Sequence, residues 1–281
     1  MDNKSIQYSI FDPTGNITAL VESEVETGLQ PSVAAQIMER RPEVEQVGFA
    51  CPSPGGEGPS LRMAGGEFCG NATMSAAALY LIRRKQKVLS PGEEETVRLR
   101  VSGAARPVEV RLRAEAPDRF RAGVHMPPAL GIDNREFTYG ALSGKLPVVR
   151  MEGISHIVVE PGSVFWALLA DRTAAEGAVR DWCAALSAGG LGLMFLGGDA
   201  PRRRLTPLVH VPGSGTVFWE SSCASGSTAA GMYLAAKTGA GVDLSLQEPG
   251  GILRVVSDPV CAETWLYGKA KLVEHCRMSI K

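Results

Sequence analysis

The sequence is short of the features that mark nucleic-acid binding, membrane insertion or metal binding. Lys and Arg number 29 against 30 Asp and Glu, for a net charge of −1. The basic runs, Arg83-Arg84-Lys85 and Arg202-Arg203-Arg204, are short and read as solvated faces, so no nucleic-acid partner is expected. No uninterrupted apolar stretch approaches the roughly 18 residues of a membrane span, and Met1 to Lys4 lead into a strand-like segment without an apolar signal core. A cytoplasmic protein with no membrane partner is therefore expected. The six cysteines (Cys51, Cys69, Cys183, Cys223, Cys261, Cys276) are too few and too scattered for a disulfide framework, and none forms a CxxC pair. His125, His210 and His275 share no ligand spacing with one another or with a cysteine, so no metal is expected. Gly250-Gly251 lacks the surroundings of a phosphate loop and reads as a tight hairpin turn.

What is present points to a soluble globular chain. With 281 residues, 44% hydrophobic and 21% charged, it exceeds the usual span of one core, and two domains are expected. Two segments resemble each other, and each begins at a cysteine: Glu67-Phe68-Cys69-Gly70-Asn71-Ala72-Thr73 and Ser221-Ser222-Cys223-Ala224-Ser225-Gly226-Ser227. Each continues into an Ala-rich run ending in Tyr-Leu, which reads as a turn feeding a buried helix. A thiol at a helix N-terminus meets unpaired backbone N–H groups and the positive end of the helix dipole. Both lower a thiol pKa and attract anions, so two thiols facing one ligand are expected.

The repeat extends past the helices. Thr96–Gly103 and Pro107–Leu112 alternate like strands, as do Val242–Gln247 and Ile252–Ser257 around Glu248-Pro249-Gly250-Gly251. Further strands are expected at 6–11, 17–21 and 46–50, then at 155–159, 167–169, 192–196 and 208–211, with helices at 33–40 and 173–186. The fold class is thus α+β: two pseudo-symmetric lobes, each a curved, mainly antiparallel sheet around a central helix. The expected lobes are residues 1–125 with Cys69 and 126–263 with Cys223, their boundary near Pro127, Pro128 and Gly131. A last strand, within 264–281, is expected to return to the first lobe.

Asp12-Pro13-Thr14-Gly15-Asn16, Gly66-Glu67-Phe68-Cys69-Gly70-Asn71-Ala72-Thr73-Met74-Ser75, Trp219-Glu220-Ser221-Ser222-Cys223 and Gln247-Glu248-Pro249-Gly250-Gly251 resemble the landmarks of the diaminopimelate epimerase and proline racemase superfamily. Within it they are most similar to the histidine racemases that supply D-histidine for staphylopine-type metallophores. The second cysteine motif, Cys223-Ala224-Ser225-Gly226, departs from the family's usual Cys-Gly-Ser/Thr-Gly order. The resemblance implies a diaminopimelate epimerase-like fold, a homodimer, and an amino-acid isomerase that needs no pyridoxal phosphate or other cofactor.

Inverting an α-carbon requires taking its proton from one side and delivering another from the opposite side, so a thiolate and a thiol can exchange roles between the two directions. Helix N-termini supply donors for the negative charge that spreads into the substrate carboxylate. The resemblance implies that Cys69 and Cys223 are the two bases. The amides of Gly70, Asn71, Ala224 and Ser225 are candidates for the carboxylate cradle, with Asn16 lining the pocket. The resemblance places Glu45 where histidine racemases carry a glutamate. His156 reads either as a substrate contact or as a hydrogen-bonded structural histidine, and Glu220 as a pocket residue or a helix cap.

Departures from the diaminopimelate epimerase pattern narrow the substrate. Glu220 is followed by Ser221 where those enzymes carry an arginine, and Ile154 stands where an asparagine is expected, so a second substrate carboxylate would lack its counter-charge. A histidine racemase is the leading reading. The alternatives are a diaminopimelate epimerase, a racemase of another amino acid, or an inactive amino-acid-binding homologue. A single-cysteine hydrolase would leave one of the two thiols unused.

Overall fold

The computed structural model describes residues 4–51, 58–83, 89–199 and 203–280. Arg84, Lys85 and Arg202 of the two basic runs lie outside them. The chain divides into two compact units, Met1–His125 with Tyr267–Lys281, and Met126–Leu266.

The first unit comprises strands β1 (Lys4–Asp12) and β2 (Thr18–Val21), helix α1 (Gln30–Arg40), strands β3 (Gln46–Cys51) and β4 (Ser60–Met63), helix α2 (Gly70–Arg83), and strands β5 (Glu94–Val101), β6 (Val108–Ala116) and β7 (Arg119–His125). They hydrogen-bond in sequence order. The chain's final strand then lies against both β7 and β1, with Tyr8 opposite Cys276 and Ile6 opposite Met278, so the sheet closes on itself. Pairing is antiparallel except for β2–β3 and β4–β5. Each parallel pair is joined through a helix, as parallel strands require a crossover. Helix α1 packs Val33, Ala34 and Ile37 on Ile6, Ile10, Val47 and Phe49. Helix α2 is the central one. Eleven of its fourteen residues are buried, and its Ala76-Ala77-Ala78 run is slim enough for strands to approach on several sides.

The second unit repeats this plan. It contains β8 (Gly131–Tyr139), β9 (Leu142–Arg150), β10 (Ser155–Val159), α3 (Arg172–Ala185), β11 (Leu191–Gly197), β12 (Arg203–Val211), β13 (Thr216–Trp219), α4 (Ala224–Thr238), β14 (Val242–Glu248), β15 (Gly251–Asp258) and the start of β16 (Glu263–Ile280). Its parallel pairs, β10–β11 and β12–β14, again each enclose a helix. Ala175, Val179, Trp182 and Cys183 of α3 recur at helical spacing and pack on Phe137, Ile157, Leu193 and Phe195. Central helix α4 is buried nearly all round. A Cβ on Gly231 would lie 2.4 Å from Val255 Cγ1, so glycine permits the close approach of β15.

Both central helices are tied at their far ends in the same way. Arg83 of α2 donates two hydrogen bonds, of 2.6 and 2.9 Å, to Glu22 just after β2. Lys237 and Tyr233 of α4 each donate at 2.6 Å to Glu160 just after β10. The fold is thus the expected α+β arrangement with matching halves.

Several local expectations need correction. Residues 167–169 are not a strand: they belong to the 3-10 turn Val164–Leu169, where Ser163 Oγ accepts the Phe165 N–H at 3.2 Å. Helix α1 begins at Gln30, ahead of the expected 33, because Pro31 suits a first helical turn. Strands β8 and β9 form a hairpin in a stretch where the alternation of apolar and polar residues is weak, since most of β8 is exposed or half-exposed.

Candidate active site

In the first unit, Cys69 directly precedes α2 and its carbonyl accepts the Thr73 N–H at 3.0 Å. Its thiol donates to Gln46 Oε1 at 2.8 Å and lies 3.4 Å from the Ala72 N–H, which donates to sulfur. Gly70 and Asn71 are buried in the first helical turn, where helical N–H groups have no intrahelical acceptor. The segment before the cysteine is fixed by the end of β5, because Ser102 Oγ donates to Glu67 O at 2.8 Å and accepts the Met63 N–H at 2.9 Å. Gly103, at φ +70°, passes so close that an added Cβ would lie 2.4 Å from Phe68 N.

Asn16 is positioned by the turn after β1. Asp12 accepts the Gly15 N–H at 2.6 Å, and Thr14, at φ 57°, accepts the Lys269 N–H at 2.9 Å. Wholly buried, Asn16 donates through Nδ2 to Glu45 at 2.7 Å, and its Oδ1 has no hydrogen-bond partner. Glu45 and Gln46 are adjacent, and Gln46 accepts the hydrogen bond of the thiol. Reading the sequence singled out Glu45 and passed over Gln46, whose only signal was its place at the start of a strand. Glu67 is pushed above the ordinary carboxylate range by burial, against the lowering effect of its backbone hydrogen bonds and of Arg62.

In the second unit, Cys223 is the N-cap of α4, in extended backbone conformation, and its carbonyl accepts the Ser227 N–H at 2.8 Å. Its sulfur lies 3.7 Å from Ser225 Oγ. Ala224 and Ser225 are buried in the first helical turn, and Glu220 is half-buried three residues before the thiol. The low thiol pKa expected of a helix N-terminus does not hold here. Burial pushes the Cys223 thiol well up, the charges of Glu220 and Glu248 push it further, and the Gly226 backbone N–H only partly offsets them.

Glu248 is the last residue of β14, opposite Gly251 in the hairpin that the sequence predicts. Its side chain reaches α4, accepting the Cys223 N–H at 2.6 Å and bonding the Ser227 hydroxyl. His156 on β10 is wholly buried, both ring nitrogens lack partners, and burial lowers its pKa to about 3. Its ring lies beside Gly192 and the Met194 methyl group, and Met194 in turn packs at Gly226 near the Cys223 sulfur. Among the described residues no cluster of three or more His, Cys, Asp or Glu could hold a metal ion.

A cysteine thus stands at the start of a buried helix in each of the two matching α+β units, and solved structures share the fold. A hydroxyproline epimerase from Agrobacterium vitis, solved with bound trans-4-hydroxy-L-proline, matches 99% of this chain and 94% of its own at TM-score 0.66 and 12% identity. A Pseudomonas aeruginosa protein described as a predicted epimerase matches 98% of this chain and 100% of its own at TM-score 0.67 and 14% identity. At such identities the likeness is one of fold. The sequence comparisons go further: the chain belongs to the family described as the histidine racemase CntK N-terminal domain, whose model matches residues 5–265. A histidine racemase of Staphylococcus aureus is 29% identical over 261 residues, 92% of this chain and 90% of that protein. One from Fusobacterium nucleatum is 30% identical over 242 residues, 83% of each. The protein is an isomerase of the amino-acid racemase class.

Proposed function

We propose that this enzyme interconverts L- and D-histidine without a cofactor, Cys69 and Cys223 exchanging the roles of base and acid at the α-carbon. The observation that carries the reading is the duplicated helix start, each thiol standing beside first-turn amides that suit a carboxylate. Gln46 suits a residue that must alternate. Its carbonyl accepts from the Cys69 thiol as found, and rotating the amide would offer N–H to the thiolate.

Gly70, Asn71, Ala224 and Ser225 form the proposed carboxylate cradle. The unpartnered Asn16 Oδ1, held by Glu45, is an acceptor for the substrate ammonium or imidazole. Glu220 completes the set near Cys223. His156, sealed beside Met194, contributes through packing rather than contact. In this reading the enzyme acts in the cytoplasm as a homodimer and supplies D-histidine for metallophore assembly. The Staphylococcus aureus and Fusobacterium nucleatum relatives favour histidine over diaminopimelate.

Chiral chromatography after incubation with a panel of L-amino acids tests the substrate. D-Histidine should form fastest, and faster turnover of diaminopimelate or proline would contradict the assignment.

A further inference from the structure

Glu248 has a place in the Cys223 half-site that its position in a hairpin does not explain. It ends β14 opposite Gly251, and the hairpin is docked on the cysteine segment by the Gly250 N–H, which donates to Ser221 O at 2.7 Å. Only 2% exposed, its carboxyl bridges the first turn of α4, taking the Cys223 N–H on Oε2 and the Ser227 hydroxyl on Oε1.

The two bonds differ in kind. The Cys223 N–H can only donate, so Oε2 must stay an acceptor. A serine hydroxyl both donates and accepts, so Oε1 can carry a proton and donate to Ser227 with neither bond lost. The bridge therefore survives in both charge states.

The surrounding charges decide which state prevails. Glu220 faces Glu248 and Cys223 from the segment after β13, and α4 contributes Cys223 itself and the neutral Ser227. On the β12 side, Arg203 and Arg204 stand in register with Leu246 and Gln247. Burial, outweighing the two hydrogen bonds and aided by Glu220, raises the Glu248 pKa to about 8. Ionised Glu248 in turn opposes a Cys223 thiolate.

We propose that Glu248 is a positioning residue for Cys223: its carboxyl clamps the start of α4 in either charge state, and its negative charge opposes ionisation of the thiol beside it. The inference rests on the reading of Cys223 as one of the two bases. It makes Ser227 the hydroxyl that lets the clamp change charge without moving.

Glu248→Gln keeps both hydrogen bonds, with the amide oxygen accepting from Cys223 and the amide NH2 donating to Ser227, but removes the titration. The thiolate ultraviolet absorbance of the intact enzyme, less that of its Cys223→Ser variant, follows Cys223 alone. Its midpoint should fall by about one pH unit in Glu248→Gln, the size expected on removing a nearby like charge. The acid limb of the racemisation rate in the direction that uses Cys223 as base should move with it. An unshifted or raised midpoint in a folded Glu248→Gln protein would overturn the proposal. Should that variant not fold, Ser227→Ala removes the hydrogen bond that favours the carboxylate and should shift the midpoint the same way by less; no shift there overturns it equally. Failure of the two-thiol reading looks different: Cys223→Ser would keep racemising at the wild-type rate, whatever the Cys223 midpoint does.

Discussion

The acid stability of the second unit should be governed by His156. Its ring is wholly buried with neither nitrogen bonded, and its pKa is lowered from 6.5 to about 3. A base with a depressed folded pKa contributes stability that is present above its unfolded pKa and lost as pH falls toward the folded one, so the window is pH 6.5 down to about 3. Between pH 7 and pH 4 the unfolded chain takes up a proton that the folded chain refuses, a difference of about 3 kcal/mol. Glu248, raised to about 8, runs the other way: its contribution is present below its unfolded value of 4.5 and lost as pH rises through about 8. The comparison must therefore be with a variant that differs only at His156. In His156→Leu, a neutral apolar side chain fills the same apolar neighbourhood. Urea unfolding at pH 7 and pH 4 should show the wild type losing about 3 kcal/mol more than His156→Leu over that interval. Equal losses in the two proteins would refute the reasoning, because they would mean that His156 charges in the folded state or finds a partner there.

Other substitutions follow from the same geometry. Gly103→Ala combines a positive φ with a Cβ 2.4 Å from the Phe68 backbone nitrogen, so it should destabilise the protein by about 2 kcal/mol or more and lower the melting temperature measured by calorimetry. Gly226→Ala would put a Cβ 2.1 Å from Met194 Sδ and 3.1 Å from Cys223 Sγ. Because the methionine can bend away and the cysteine is fixed by its helix, kcat for racemisation should fall at least about tenfold with a smaller change in thermal stability. Gln46→Leu leaves the Cys69 thiol without its acceptor and should cost about 1–3 kcal/mol in kcat/KM, read from initial racemisation rates.

The parts of the fold legible in the sequence were those with a repeating local signal. The Ala-rich runs after Cys69 and Cys223, the alternation of Val97, Leu99 and Val101, and the period of Ala175, Val179 and Trp182 all reflect burial on one face or all round. What escaped was non-local or broke a local rule. Strand β8 faces solvent along much of its length, and β12 continues well before Leu208 through Arg203 and Arg204. The candidate site shows the same division. A cysteine before a run of small residues announces a helix start, so Cys69 and Cys223 stood out. Glu248 reaches Cys223 across 25 residues and Gln46 reaches Cys69 across 23, through sheet pairing that no local pattern encodes. The shifted pKa of Cys223 escaped for the same reason, since its helix start was legible but the burial and the carboxylates around it were not.

The central claim is that two thiols share one stereocentre, and α-proton exchange tests it most directly. L-Histidine in D2O, followed by proton NMR with chiral analysis of the product, should lose its α-proton in step with formation of deuterated D-histidine. Inversion should be abolished in both Cys69→Ser and Cys223→Ser. Inversion at the wild-type rate in either variant, or D-histidine formed with its original α-proton retained, would contradict the account.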